Sequence, residues 1–230
     1  MTDQELGLDF SMVIASTVHD MKNSLASLIQ AHGQWVRQLP EAQRGTAEQG
    51  VIDYEFAHLN GMLVQLLGLY KLGVNQLPLR PDYHELDDFI EAQLAFHQEV
   101  LASRGIAARY EVEDFGLPGF FDRELIGSVV SNVVINAIRF ARKEVLISAR
   151  QVDQQLVISV NDDGPGFPEP MIAHQADYVL GINQRSGSTG LGLYFAANIA
   201  RQHQRQGVRG RIEIANGGEL GGGVFRIYLP

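Results

Sequence analysis

Asp122–Arg142, DRELIGSVVSNVVINAIRFAR, reads as one helix with two opposed faces, and the rest of the chain arranges itself around it. Ile126, Val129, Val130, Val133, Val134 and Ala137 recur at three- and four-residue steps and make an apolar stripe for a core. Asn132, Asn136 and Arg139 recur at the same steps on another face. Asparagine is a mediocre helix former, so two amides one turn apart in mid-helix, beside a cation, point to a ligand. Downstream, Asn161-Asp162-Asp163-Gly164-Pro165-Gly166 follows a strand-like run, and Gly187-Ser188-Thr189-Gly190-Leu191-Gly192-Leu193 opens another helix. An amide pair beside a cation, a carboxylate in a glycine turn and a glycine-rich helix start are the parts of a nucleotide-phosphate site.

Working outward, Asp122 suits the helix cap. Before it, Glu85–Arg104 has a helical pattern punctuated by Gly105, and Ile106, Ala108, Tyr110 and Val112 then alternate as in a strand. After it, Lys143–Arg150 and Gln155–Asn161 alternate across a short connection, which predicts a hairpin. Pro168–Gly187 has no clear period and is long enough for a lid or binding segment. Leu191–Gln202 returns to helix, and Arg211–Ala215 and Val224–Leu229 alternate on either side of the glycine-rich turn Asn216–Gly223. Helices layered on a mixed sheet, an α+β domain, accommodate this order.

The N-terminal third is different. Ile14, Val18, Met21, Leu25, Leu28, Trp35 and Leu39 fall on alternating four- and three-residue steps, with His32 filling the gap. Pro40–Thr46 interrupts, and Ile52, Phe56, Leu59, Leu63, Leu66 and Tyr70 repeat the rhythm as far as Gly73. Two long helices make a hairpin that cannot bury both seams alone, and a symmetric dimer forming a four-helix bundle is the economical solution. Asn75–Pro81, NQLPLRP, cannot continue a helix. The division expected is a hairpin over 1–74, a linker over 75–83 and a second domain over 84–230.

A net charge of −9 on 230 residues argues against broad nucleic-acid binding. The absence of cysteine excludes disulfides and thiolate metal sites. No signal peptide and no apolar run of about 18 residues is read, so membrane insertion is not expected and a cytoplasmic protein is.

Four motifs together carry a resemblance. Asn132–Ala137 (NVVINA) is similar to the N box of two-component histidine kinases, Asp162–Gly166 (DDGPG) to their first glycine box, Thr189–Leu193 (TGLGL) to the second, and Val18–Leu25 (VHDMKNSL) to the H box. Each is weak alone, but all four stand in the family's order and spacing. The resemblance implies ATP and Mg²⁺ as cofactors, with Asn136 as the metal ligand and Asn132 and Arg139 near the phosphates. It gives Asp162 the adenine amino group, Gly164 and Gly166 a close approach to the base, and Thr189, Gly190, Leu191 and Gly192 the phosphates. His19 is the implied phosphoacceptor, flanking the seam residue Val18. Asp20 is suited to hold the imidazole or act as base, and Asn23, one turn on, resembles the amide that orients water when family members dephosphorylate their partner.

The expected function is a dimeric histidine kinase passing a phosphoryl group from His19 to an aspartate of a response-regulator receiver domain. Three departures qualify the pattern. The 168–187 segment lacks the family's phenylalanine-rich stretch, Gln204–Arg209 replaces paired glycines after His203, and 18 residues precede His19. No sensor domain is read, so the signal is expected from a separate protein or a region outside this chain. Two rival readings are a phosphotransfer protein whose second domain is only an interaction surface, and an anti-sigma-type protein serine kinase.

Overall fold

Two long helices open the fold, α1 (Phe10–Gln38) and α2 (Ala47–Gly73), joined through a 3-10 turn at Glu41–Gln43. The computed structural model describes residues 10–113, 118–176 and 191–230. The turn is fixed by side chains at both helix ends. Arg44 donates to the carbonyls of Leu39 and Arg37 at 2.9 and 2.7 Å, satisfying the C-terminus of α1. Thr46 and Gln49 form a reciprocal capping box that starts α2.

The seam splits into two rows. Val18 and Leu25 are buried within the hairpin and His32 is half-buried, with Nδ1 3.4 Å from an Asp53 carboxylate oxygen. Met21, Leu28 and Trp35, seven residues apart, are 52, 58 and 53% exposed. On α2, Ile52, Leu59 and Leu66 are likewise exposed, whereas Phe56, Leu63 and Tyr70 are half-buried. One heptad position per helix therefore packs inside the hairpin and the other faces away from it.

The remaining described elements form the α+β part. They are β1 (Asp82–His84), α3 (Leu86–Phe96), α4 (Gln98–Ser103), β2 (Ala107–Val112), β3 (Gly119–Phe121), α5 (Arg123–Phe140), β4 (Glu144–Val152), β5 (Gln155–Asp162) and α6 (Glu169–Ala173). After them come α7 (Leu191–Gln202), β6 (Gln204–Arg205), β7 (Val208–Arg209), β8 (Arg211–Asn216) and β9 (Gly223–Leu229). The main sheet runs β2-β4-β5-β9-β8, with β2 parallel to β4 and the other pairs antiparallel, so the sheet is mixed as expected. Asp153 and Gln154, at φ 48° and 65°, make the tight β4–β5 turn, a left-handed pair that suits the strand twist.

One sheet face takes the helices. Ile147, Ile158, Phe225 and Ile227 share a core with Phe89, Ile126, Ile138 and Phe195. The other face carries a cross-strand row Ser148–Ser159–Arg226–Glu213, in which Arg226 and Tyr228 both donate to Glu213 at 2.7 Å. The hairpin joins the same core through α2: Tyr54 is buried in it, and two glycines let the helix approach closely. A Cβ on Gly50 would meet Ser103, and one on Gly68 would meet the Phe195 ring, each at 2.7 Å.

Several elements differ from the sequence expectation. The segment read as one helix over 85–104 is broken at His97 into α3 and α4, and the His97 ring turns inward to meet Ser131 Oγ on α5 at 2.9 Å. The helix expected through Arg142 stops at Phe140, because the Arg142 and Lys143 N–H groups donate to the Asp163 carboxylate instead. The short pairs β1–β3 and β6–β7 were not anticipated, since two or three residues carry no period. The second is the rebuilt turn after His203, a tight hairpin with Gln206 and Gly207 at positive φ.

Burial holds His97 neutral, with its pKa lowered from 6.5 to about 4. The unfolded chain takes up this proton below pH ~6.5 while the folded one does not until about pH 4, so stability falls as pH falls through that window. Between pH 7 and 5 the loss from this residue should be about 2 kcal/mol, or roughly 4–8 °C in Tm. His203, also buried and pushed below its ordinary range, adds to the slope with the same sign. Thermal melts of wild type and His97→Gln check this. The variant's pH slope should be visibly flatter, and parallel slopes would remove His97 as the cause.

Candidate functional site

Asp122 starts the organising helix. Its Oδ1 accepts the N–H groups of Glu124 and Leu125 at 3.1 and 3.0 Å, and its Oδ2 accepts that of Arg80 at 2.8 Å, tying the 75–81 segment to the helix. Its own N–H donates to His203 Nε2 at 3.0 Å, while His203 Nδ1–H donates to the Ile199 carbonyl at 2.9 Å. The histidine before the rebuilt turn is thus a structural link between α7 and the start of α5.

From that cap, α5 buries its apolar stripe and presents Asn132 and Asn136 half-buried and Arg139 exposed. Asn132 lies at a junction. Its Oδ1 accepts a 2.5 Å hydrogen bond from Gln65 Nε2 of α2, and its Nδ2 lies against Gly192 at the start of α7, where a Cβ would come within 2.7 Å of it. The Asn136 amide makes no hydrogen bond among the described residues. Arg139 lies 5.3 Å from the centroid of the exposed Phe140 ring.

Asp162 ends β5 beside the same helix. Its Oδ1 accepts the N–H groups of Gly164 and Gly223 at 2.8 and 3.2 Å. Burial raises its pKa above the ordinary carboxylate value, with the two backbone N–H groups pulling the other way. Gly164 packs against the Phe140 carbonyl, and a Cβ on Gly222 would lie 2.5 Å from the Asp162 carbonyl, so α5, the Asp162 turn and the 216–223 turn are in direct contact. Gly166, at φ 79°, turns the chain where Asn216 exchanges hydrogen bonds of 2.7 and 2.8 Å with the backbone of Phe167. Asn216, Gly222, Gly223 and Phe140 were not singled out in the sequence. The glycine density of 216–223 was the one signal for the first three, and it reads equally well as a plain turn.

The structure therefore brings together Asn132, Asn136, Arg139, Asp162, Gly164, Gly166, Leu191 and Gly192 around the C-terminal half of α5 and the start of α7. Thr189 and Gly190 lie outside the described residues, as do residues 177–187 of the expected lid. A base held by a half-buried carboxylate and phosphates at a glycine-rich helix start fit this arrangement. Mg²⁺ fits the chemistry of Asn136, whose amide oxygen is unengaged among the described residues: this ion takes one or two protein oxygens along with substrate phosphates. No cluster of three or more His, Cys, Asp or Glu able to hold a metal occurs among the described residues.

His19, Asp20 and Asn23 stand exposed on α1. Asn23 Nδ2 lies 3.2 Å from His19 Nδ1, so the ring is oriented by Asn23; no hydrogen bond joins Asp20 to His19 among the described residues. The His32–Asp53 pair sets the hairpin register, and counting antiparallel from it puts His19 level with Leu66, the neighbour of Gln65. The acceptor candidate and the Asn132 junction thus sit at the same height along the hairpin.

No helix among the described residues is long and apolar enough to cross a membrane. Residues 121–230 match the family of histidine kinase-, DNA gyrase B-, and HSP90-like ATPases. The chain is 26% identical over 236 residues to the signal transduction histidine-protein kinase AfsQ2 of Streptomyces coelicolor, covering 94% of this chain and 41% of the relative. It is 29% identical over 195 residues to the sensor histidine kinase YkoH of Bacillus subtilis, covering 80% of this chain and 41% of the relative. It therefore spans about two fifths of the length of these relatives. In fold it resembles the Acinetobacter baumannii histidine kinase AdeS, at TM-score 0.57 and 20% identity, over 92% of this chain and 96% of the other. It also resembles full-length ShkA crystallised with AMPPNP, at TM-score 0.63 and 20% identity, over 95% of this chain and 45% of that one. The family match and these relatives bear out the resemblance carried by the four motifs.

Proposed function

We propose, for a relative of two-component sensor histidine kinases whose residues 121–230 belong to the histidine kinase-, DNA gyrase B- and HSP90-like ATPase family, that the chain is an ATP-dependent protein-histidine kinase. The observation that carries this reading is the Asn132 junction, where the candidate phosphate-binding helix meets the hairpin at the height of His19. In the division we favour, residues 1–74 are the dimerisation and phosphotransfer hairpin, 75–83 a linker and 84–230 the ATP-binding domain.

ATP enters with its adenine amino group on Asp162, its base over Gly164 and Gly166, and its phosphates between Asn132, Arg139 and the helix start at Leu191 and Gly192. Asn136 is the residue that would hold Mg²⁺, which when bound neutralises phosphate charge. One imidazole nitrogen of His19 attacks the γ-phosphorus, the bond to the ADP oxygen breaks, and the ring proton passes to Asp20. Positioning and charge neutralisation supply most of the rate. The phosphoryl group then passes to an aspartate carboxylate of a receiver domain.

The unpartnered row Met21, Leu28, Trp35, Ile52, Leu59 and Leu66 supports a homodimeric four-helix bundle. The cytoplasm is the compartment this reading expects, with input from a separate sensor protein or a region outside this chain.

Incubation with γ-labelled ATP and Mg²⁺ tests the reaction. Label that is lost in acid and survives base identifies phosphohistidine; acid-stable label would point to a serine acceptor, and no label to a non-catalytic domain.

Asn23 is the residue we assign to dephosphorylating the regulator, its amide orienting water for attack on the phosphoaspartate. Because the same amide touches the His19 ring, Asn23→Ala should also slow autophosphorylation, by about fivefold for one lost hydrogen bond. Decay of purified phosphorylated regulator should slow more, by about tenfold or more. Matching decay curves for wild type and variant would remove the phosphatase role.

A further inference from the structure

We infer that Gln65, on the hairpin, is a positioning residue for nucleotide binding: it fixes which end of the Asn132 amide faces the phosphates. This rests on the ATP-binding reading above.

Gln65 is 3% exposed, and a buried amide side chain on a bundle helix requires a partner. Its partner lies across the interface between hairpin and ATPase domain, 67 residues away in the chain. The Gln65 amide nitrogen donates to Asn132 Oδ1 at 2.5 Å, so the Asn132 oxygen is occupied and its NH₂ group is turned away from α2. That group lies against Gly192, at the glycine-rich helix start where phosphates would bind. Phosphate oxygens only accept hydrogen bonds, so the NH₂ end is the one part of an asparagine amide they can use.

An asparagine free to turn presents oxygen or NH₂ with similar ease, and the oxygen repels a phosphate. Gln65 removes that choice before the nucleotide arrives. Accepting a hydrogen bond at oxygen also polarises the amide and strengthens donation from its nitrogen. Because Gln65 belongs to α2 and Asn132 to α5, a displacement of α2 against the ATPase domain changes phosphate affinity with no contact between α2 and the nucleotide.

The experiment measures binding of a non-hydrolysable ATP analogue with Mg²⁺, and of adenosine, to the full chain by titration. Adenosine has no phosphates, so it reports the base site alone. Gln65→Met keeps length and helix preference but has no donor. It should weaken the ATP analogue by about tenfold, the worth of one oriented hydrogen bond, and leave adenosine affinity unchanged. Gln65→Glu keeps the shape but can only accept, so it should turn the Asn132 NH₂ toward α2 and weaken the analogue further, again sparing adenosine. It serves also if the Met variant does not fold. In an Asn132→Ala background both substitutions at Gln65 should lose their effect on the analogue.

Equal analogue affinity in wild type and both variants overturns the proposal. So does a parallel loss for adenosine and the analogue, which would make Gln65 a packing residue. Failure of wild type to bind either ligand is a different result, and removes the ATP-binding reading on which the proposal stands.

Discussion

His19→Gln should take phosphate incorporation from labelled ATP to background while the protein stays folded and binds nucleotide as before. The ring is exposed on α1, and its one hydrogen bond among the described residues, to Asn23, is exposed as well. Substitutions at such sites usually change stability by no more than about 0.5 kcal/mol. Val18, the adjacent buried seam residue, is untouched. Nucleotide affinity should persist because Asn132, Asp162 and Gly192 belong to other elements. The pair of measurements is label incorporation and ATP-analogue titration on the same preparation. Incorporation at the wild-type rate would move the acceptor elsewhere, with His32 and His58 the next histidines on the hairpin to be replaced.

Asn136→Ala should lower autophosphorylation by about a hundredfold or more, the order expected when several kcal/mol of charge neutralisation at the phosphates are lost with a metal ligand. The same substitution should leave Tm unchanged or slightly raised. Asn136 is half-buried in mid-helix with no hydrogen bond among the described residues, and alanine is the better helix former by about 0.5 kcal/mol. That combination separates the two roles an interior asparagine can have. A structural asparagine would show lost stability with its lost activity. Asn136→Asp should also be inactive, since it sets a charge beside the phosphates where an amide stood, worth about 4 kcal/mol at 4 Å near a protein surface. The dimer, if formed by the hairpin, should survive both changes in light scattering; dissociation would mean that α5 supports the interface.

Much of the site was legible because it is written in local periods. The two faces of Asp122–Arg142 follow from a 3.6-residue repeat, and they reappear as buried Ile126, Val130 and Val134 opposite Asn132 and Asn136. Asp122 as a cap, the turn between β4 and β5, and the glycines about Asp162 are likewise short-range chemistry that residue types announce. The broken helix at His97 was not legible, because what breaks it is a partner 34 residues away on α5. The end of α5 at Phe140 depends in the same way on Asp163, about twenty positions later.

By itself, then, the sequence determined the order of elements, the α+β class, the polar face of α5 and the residue types of a nucleotide site, since each rests on contacts within a few residues along the chain. Only the tertiary structure decided that Asn132 is held between Gln65 and Gly192, that Asn216 and Gly223 brace the Asp162 turn, and that His19 stands level with the Asn132 junction. Those pairings join segments tens of residues apart. They arise when buried polar groups find partners as helices and sheet pack, and packing across the chain leaves no repeat in the sequence to read.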